Sequence, residues 1–174
     1  MISLITGGSG SGKSEFAEQR VLSFGEKKRI YIATMIPYDE ECKERIARHK
    51  AMRADKKFHT IECYTGLKET VLEKDSVVLL ECMSNLVANE MYQENGAKER
   101  TVEEIMEGIR SISKKVHAVV IVSNEVFSDG ICYEEESMRY LSYLGKVNKE
   151  IGRMADEVIE VAYSIPIYHK GSRR

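Results

Sequence analysis

A chain of 174 residues is long enough to bury a substantial core and fits a single nucleotide-binding catalytic domain, 1–174. Its 43% hydrophobic and 31% charged residues, with a formal net charge of -2, give no global reason to expect nucleic-acid or anionic-membrane binding. No run approaches the ~18 apolar residues of a membrane span, and no cleavable leader precedes the first motif, so a cytoplasmic location is expected.

In chain order, ISLIT (2–6) reads as a strand. GGSGSGKS follows and matches G-x-x-x-x-G-K-[ST], and EFAEQRVL reads as the next helix. This context predicts a P-loop. The backbone of Gly7, Gly8, Ser9, Gly10, Ser11 and Gly12 cradles a nucleoside triphosphate at the helix N-terminus. Lys13 reaches the outer phosphates and the Ser14 hydroxyl suits Mg²⁺. A dinucleotide fingerprint is excluded, because its third glycine would fall on Lys13.

Further apolar runs lie at 29–34, 77–82, 118–124 and 157–167, with a short strand near 58–63. Most are continuous rather than alternating, as strands buried on both faces are. Helix-period segments fall near 13–24, 38–54, 65–74, 85–94, 101–116 and 134–153. Together they predict an α/β P-loop NTPase fold, RecA-like, with a mostly parallel sheet flanked by helices. Thr101 and Glu104 form a capping box, and 92–100 reads as a solvent-exposed excursion. Cys42, Cys63, Cys82 and Cys132 lack metal-site spacing and read as buried free thiols.

Three places carry chemistry besides the P-loop. Glu81 ends the run VVLLEC, where an acidic group can serve Mg²⁺ or the nucleotide, or turn into solvent. Asn124 and Glu125 end the run AVVIVS, at the edge where α/β sheets gather ligands; an Asx turn is the structural alternative. The segment 43–57 carries seven Lys/Arg against Glu44 and Asp55. Within it Arg45, His49 and Arg53 recur at helical spacing on one face. The arginines suit phosphate oxygens, and nearby cations favour the neutral, nucleophilic imidazole. The residues alone leave three readings open: a solvated basic face, an electrostatic phosphate contact, or nucleotidyl transfer through His49.

The whole chain resembles the bifunctional adenosylcobinamide kinase / adenosylcobinamide-phosphate guanylyltransferase family. The resemblance runs from ITGGSGSGKSEFAE through YIAT, DEECKERIARHK, VLLEC and SNEV to LGKVNKEIGRMADEVIEV and SIP. It implies phosphorylation of adenosylcobinamide with ATP or GTP, then GMP transfer from GTP to adenosylcobinamide phosphate through a guanylyl-histidine. His49 matches that histidine, Lys13 and Ser14 match the P-loop nucleotide and Mg²⁺ residues, and Arg45 and Arg53 are placed to steady phosphates. Glu81 stands where the family has an aspartate. Asn124, Glu125 and Asn148 match the NEV and G-x-x-N segments. The resemblance also implies a homo-oligomer, commonly a trimer. FSDGICY (127–133), Phe58 and Ser164 depart from the family pattern. The other histidines, His59, His117 and His169, have no matching role.

Two rival classes make different predictions. A P-loop kinase for another small molecule transfers phosphate without forming covalent GMP. A nucleotide-dependent regulatory module binds nucleotide without cobinamide turnover. The bifunctional reading also poses a problem of reach. Lys13 follows the first strand and His49 the second, so the basic helix or the nucleotide is expected to move between steps.

Overall fold

The computed structural model describes residues 1–126 and 134–172, which leaves Cys132 and the FSDGICY departure outside the described residues. Seven strands form one sheet: β1 (Ile2–Thr6), β2 (Arg29–Ala33), β3 (Phe58–Glu62), β4 (Val77–Leu80), β5 (Ala118–Val122), β6 (Glu157–Ala162) and β7 (Ile165–Lys170). Their spatial order is β3-β2-β4-β5-β1-β6-β7. All pairings are parallel except β6 with β7. The P-loop strand and the strand that precedes Glu81 are separated by β5, a RecA-like arrangement.

The central strands read as continuous apolar runs because helices cover both of their faces. Ile5, Tyr31, Val77, Leu79, Val120 and Val122 pack on one face with Ala17 and Val21 of α1 (Lys13–Leu22). Leu4, Ile32, Val78, Leu80 and Ile121 pack on the other. There they meet α3 (Met83–Tyr92), α4 (Thr101–Lys115) and α5 (Glu135–Met154), through residues such as Leu86, Ile109 and Leu144. The remaining helix, α2 (Glu40–Met52), contributes no buried residue. It starts on Asp39, whose carboxylate accepts from the Cys42 N–H at 2.7 Å.

Three expectations are corrected. Residues 65–74 do not form a helix: a single 3₁₀ turn, Leu67–Glu69, is followed by irregular chain. The cause is tertiary. Leu67 is fully buried against α4, in a notch at Gly108 where an added Cβ would lie 2.8 Å from the Leu67 Cβ. The run 157–167 is two strands, because Tyr163 and Ser164 both adopt left-handed φ, 53° and 63°, and reverse the chain. The capping box is absent. Thr101 already lies in the helix and its hydroxyl donates to the Lys98 carbonyl at 2.6 Å, while Glu104 pairs with Lys68 at 2.9 Å.

The excursion at 92–100 is anchored from below by Glu90. This carboxylate is 1% exposed and accepts from the Gly66 and Ala97 N–H groups at 2.8 and 2.9 Å. Glu90→Ala leaves both donors without that acceptor and is expected to destabilise the fold by about 3 kcal/mol. Urea unfolding checks this, and an unchanged midpoint would refute it.

Candidate active site

Six parallel strands, β1 to β6, point their carboxyl ends to one edge of the sheet, and the loops that leave this edge form the cleft. After β1 the P-loop wraps into α1. Gly12 caps that helix with φ 89°, a conformation suited to glycine, and an added Cβ would lie 2.6 Å from the Ser164 hydroxyl. The Lys13 ammonium folds over the loop and donates to the Gly8 carbonyl at 2.9 Å. Burial holds its pKa below the ordinary lysine range; nearby Arg45 pushes the same way, and Cys82 opposes both. A polyanion here would relieve that strain. Ser9 and Gly10 are exposed at the loop tip, and Ser14 sits half-buried in the first turn of α1.

His49 lies in the last turn of α2 and leans onto the end of β4. Its Nδ1 is 3.0 Å from Glu81 Oε1, with the side chains 25% and 12% exposed. A carboxylate only accepts, so Nδ1–H donates, and Nε2 is the ring nitrogen that carries the free lone pair in the neutral tautomer this bond selects. The group bonded to the imidazole is thus an acid from β4, not one of the cations on its own helix. Glu81 also engages the Tyr31 hydroxyl; burial first, then Glu81, pushes that phenol far up.

The pair opens into a cavity of about 270 Å³, lined in part by Arg53, Thr60, Glu62 and Tyr64. Arg53 falls just past the end of α2 and is 5% exposed, its guanidinium 3.5 Å from the centre of the Tyr31 ring. Its Nη1 is buried with no hydrogen-bond partner among the described residues. Tyr64 donates to Glu62 at 3.0 Å. Arg45 is exposed and lines an adjoining groove with Asn85 and Asn89, on the side toward Lys13. Arg45, His49 and Arg53 therefore do not present one continuous surface. No P-loop residue lines the His49 cavity, so the reach problem takes the form of two neighbouring compartments.

Asn124 and Glu125 lie between them. The Asn124 amide donates toward Cys82 Sγ at 3.7 Å, and the Glu125 N–H donates to the Gly7 carbonyl at 3.0 Å. Asn148 stands behind this edge, its Oδ1 accepting from the Ser123 hydroxyl at 2.8 Å. Cys63 and Cys82 are buried free thiols as expected, whereas Cys42 is partly exposed. Burial pushes the Cys82 thiol up. His117 and His169 make ordinary contacts, with Asp75 at 3.4 Å and Glu160 at 2.8 Å. Sequence reasoning missed Tyr31 and Glu62, which read only as strand residues, and Tyr64, which follows the expected strand. It also missed the bond between Glu81 and His49.

The oxygen donors fit Mg²⁺ only in part. Ser14 offers a hydroxyl beside the phosphate loop, but one Glu81 oxygen is taken by His49. Among the described residues no cluster of three His, Cys, Asp or Glu side chains could hold a metal by itself. No helix among them is long and apolar enough to cross a membrane.

A family model described as cobinamide kinase / cobinamide phosphate guanyltransferase matches residues 3–168. The bifunctional adenosylcobalamin biosynthesis protein CobU of Salmonella typhimurium is 32% identical over 183 aligned positions, covering 96% of this chain and 98% of that protein. The corresponding CobP of Pseudomonas aeruginosa is 27% identical and covers 98% of each chain. Among solved structures, a KaiC-like protein of Pyrococcus horikoshii superposes with a TM-score of 0.48 at 12% identity, over 91% of this chain and 71% of that one.

Proposed function

The chain belongs to the cobinamide kinase / cobinamide phosphate guanyltransferase family, and from that premise we propose that it phosphorylates adenosylcobinamide and then guanylylates the product through His49. The observation that carries the second half is the imidazole held by Glu81 at 3.0 Å, in a cavity where a buried Arg53 nitrogen lacks a partner. Such a nitrogen is costly to bury and suits a phosphate oxygen.

In the first step the cobinamide hydroxyl oxygen attacks the γ-phosphorus of ATP or GTP in line, the bond from that phosphorus to the β,γ-bridging oxygen breaks, the nucleoside diphosphate leaves, and the hydroxyl proton passes to solvent. The P-loop amides and Lys13 stabilise the charge that develops. Ser14 and Glu81 are the residues that would hold Mg²⁺ beside the bound nucleotide, and the ion would supply neutralisation of the phosphate charge. In the second step His49 Nε2 attacks the α-phosphorus of GTP and pyrophosphate leaves. A phosphate oxygen of adenosylcobinamide phosphate then attacks the same phosphorus, displaces the imidazole and forms the pyrophosphate bond of the product. Glu81 holds the imidazole and stabilises its charged form as the bond to phosphorus develops. We assign the active form as a homo-oligomer, which light scattering on the purified chain tests.

The test uses GTP labelled at the α-phosphate. Label should stay on denatured protein as an acid-labile, comparatively base-stable adduct, and adenosylcobinamide phosphate should discharge it. Label that never forms removes the nucleotidyl step. Label that forms but resists discharge removes the substrate assignment. Glu81→Gln is expected to slow adduct formation about 10–100-fold, the scale of a lost partner behind a reacting imidazole. An unchanged labelling rate would separate Glu81 from the chemistry.

A further inference from the structure

The turn between β6 and β7 is built against the phosphate loop. Ser164 N–H donates to the Ser11 carbonyl at 2.8 Å. The Ser164 side chain also closes on Gly12 so tightly that a Cβ there would lie 2.6 Å from its hydroxyl. Tyr163 precedes it with φ 53° and is 93% exposed, an unusual setting for a large aromatic ring. The sheet order fixes which side of the loop this is. Glu81 and the His49 cavity lie toward β5 and β4, whereas the turn extends β6 on the other flank of β1. On the kinase reading, the γ-phosphate faces the open cleft beside Glu81, on the β4 side. The nucleoside of a triphosphate laid across the loop then emerges on the β6 side.

We propose that Tyr163 is a base-stacking residue for the nucleotide that donates the γ-phosphoryl group, held over the mouth of the P-loop by the left-handed Tyr163–Ser164 turn. Stacking on an aromatic face tolerates any base, because every base has a π-face. The site thus takes adenine and guanine nucleotides alike, with no hydrogen-bond readout at the base. This rests on the kinase reading above. It separates the two nucleotide poses: the base lies at Tyr163 when the γ-phosphorus reacts and near His49 when the α-phosphorus reacts.

The chain contains no tryptophan, so Tyr163→Trp introduces a single indole at the turn. Its fluorescence should respond to ADP and to GDP but not to inorganic tripolyphosphate. Tyr163→Asn removes the ring while suiting a positive φ. By calorimetry it should weaken ADP and GDP about tenfold each and leave tripolyphosphate within twofold. Tyr163→Phe should restore wild-type affinity, and in turnover Tyr163→Asn should raise the KM for ATP with kcat little changed. Equal ADP affinity in wild type and Tyr163→Asn overturns the proposal. So does an equal loss for tripolyphosphate, which would make the turn a brace and nothing more. Wild-type protein that binds neither ADP nor tripolyphosphate instead overturns the kinase reading beneath it.

Discussion

Replacing His49 by alanine is expected to abolish covalent labelling from α-labelled GTP and to lower guanylyl transfer by about 10⁴-fold or more, the scale of losing a covalent nucleophile. Phosphorylation of adenosylcobinamide should persist within a few-fold, because no P-loop residue lines the His49 cavity. The fold should persist too: α2 contributes no buried residue, and His49 is only partly buried. The loss of one activity with retention of the other distinguishes the bifunctional reading from a simple kinase. Label persisting unchanged in His49→Ala would sink the assigned nucleophile, and loss of both activities would argue for one shared site.

The second large effect is at Lys13. Lys13→Ala removes a donor aimed at the transferring phosphoryl group, and kinase kcat/KM should fall about 10²–10³-fold. Stability should move the other way in the nucleotide-free protein. Burial lowers the Lys13 pKa, so the folded state releases the proton at a lower pH than the unfolded chain. The resulting penalty on folding is fully present below the folded pKa. It fades as pH rises from there toward the ordinary lysine value, because in that window the unfolded state binds more protons. Lys13→Ala should therefore flatten the alkaline part of the stability profile without lowering stability near neutrality. ADP should raise the Tm of wild type and raise that of the variant much less. Equal stabilisation of both by ADP would remove Lys13 from phosphate binding.

What could be read in the chain, and what could not, follows from the range of the forces involved. The strand, loop and helix around Gly7–Ser14 are local: an apolar run, glycines where the backbone turns, then a helical period. Their boundaries were legible, as were the fully buried runs of β4 and β5. Residues 65–74 show helical spacing, yet Leu67 is captured by the notch at Gly108, more than 40 residues away, and packing overrides the local period. Thr101 and Glu104 have capping-box spacing, but Lys68 claims the carboxylate from another segment. Glu81 was recognisable as an acid at the end of a strand. Its partner was not, since His49 arrives from the helix that follows the neighbouring strand β2, 32 positions earlier in the chain. The helical spacing of Arg45, His49 and Arg53 was real only as far as Met52, where α2 ends and Arg53 turns under to stack on Tyr31.

Helix α2 holds the proposed nucleophile yet shares none of the buried core. A population of variants sorted by abundance or heat resistance would therefore register most α2 substitutions as neutral, including those that erase a reaction. The same variants sorted by guanylyl transfer would show the loss at His49 that the first sort misses. Selection on this helix thus acts through the reaction rather than through the stability of the sheet.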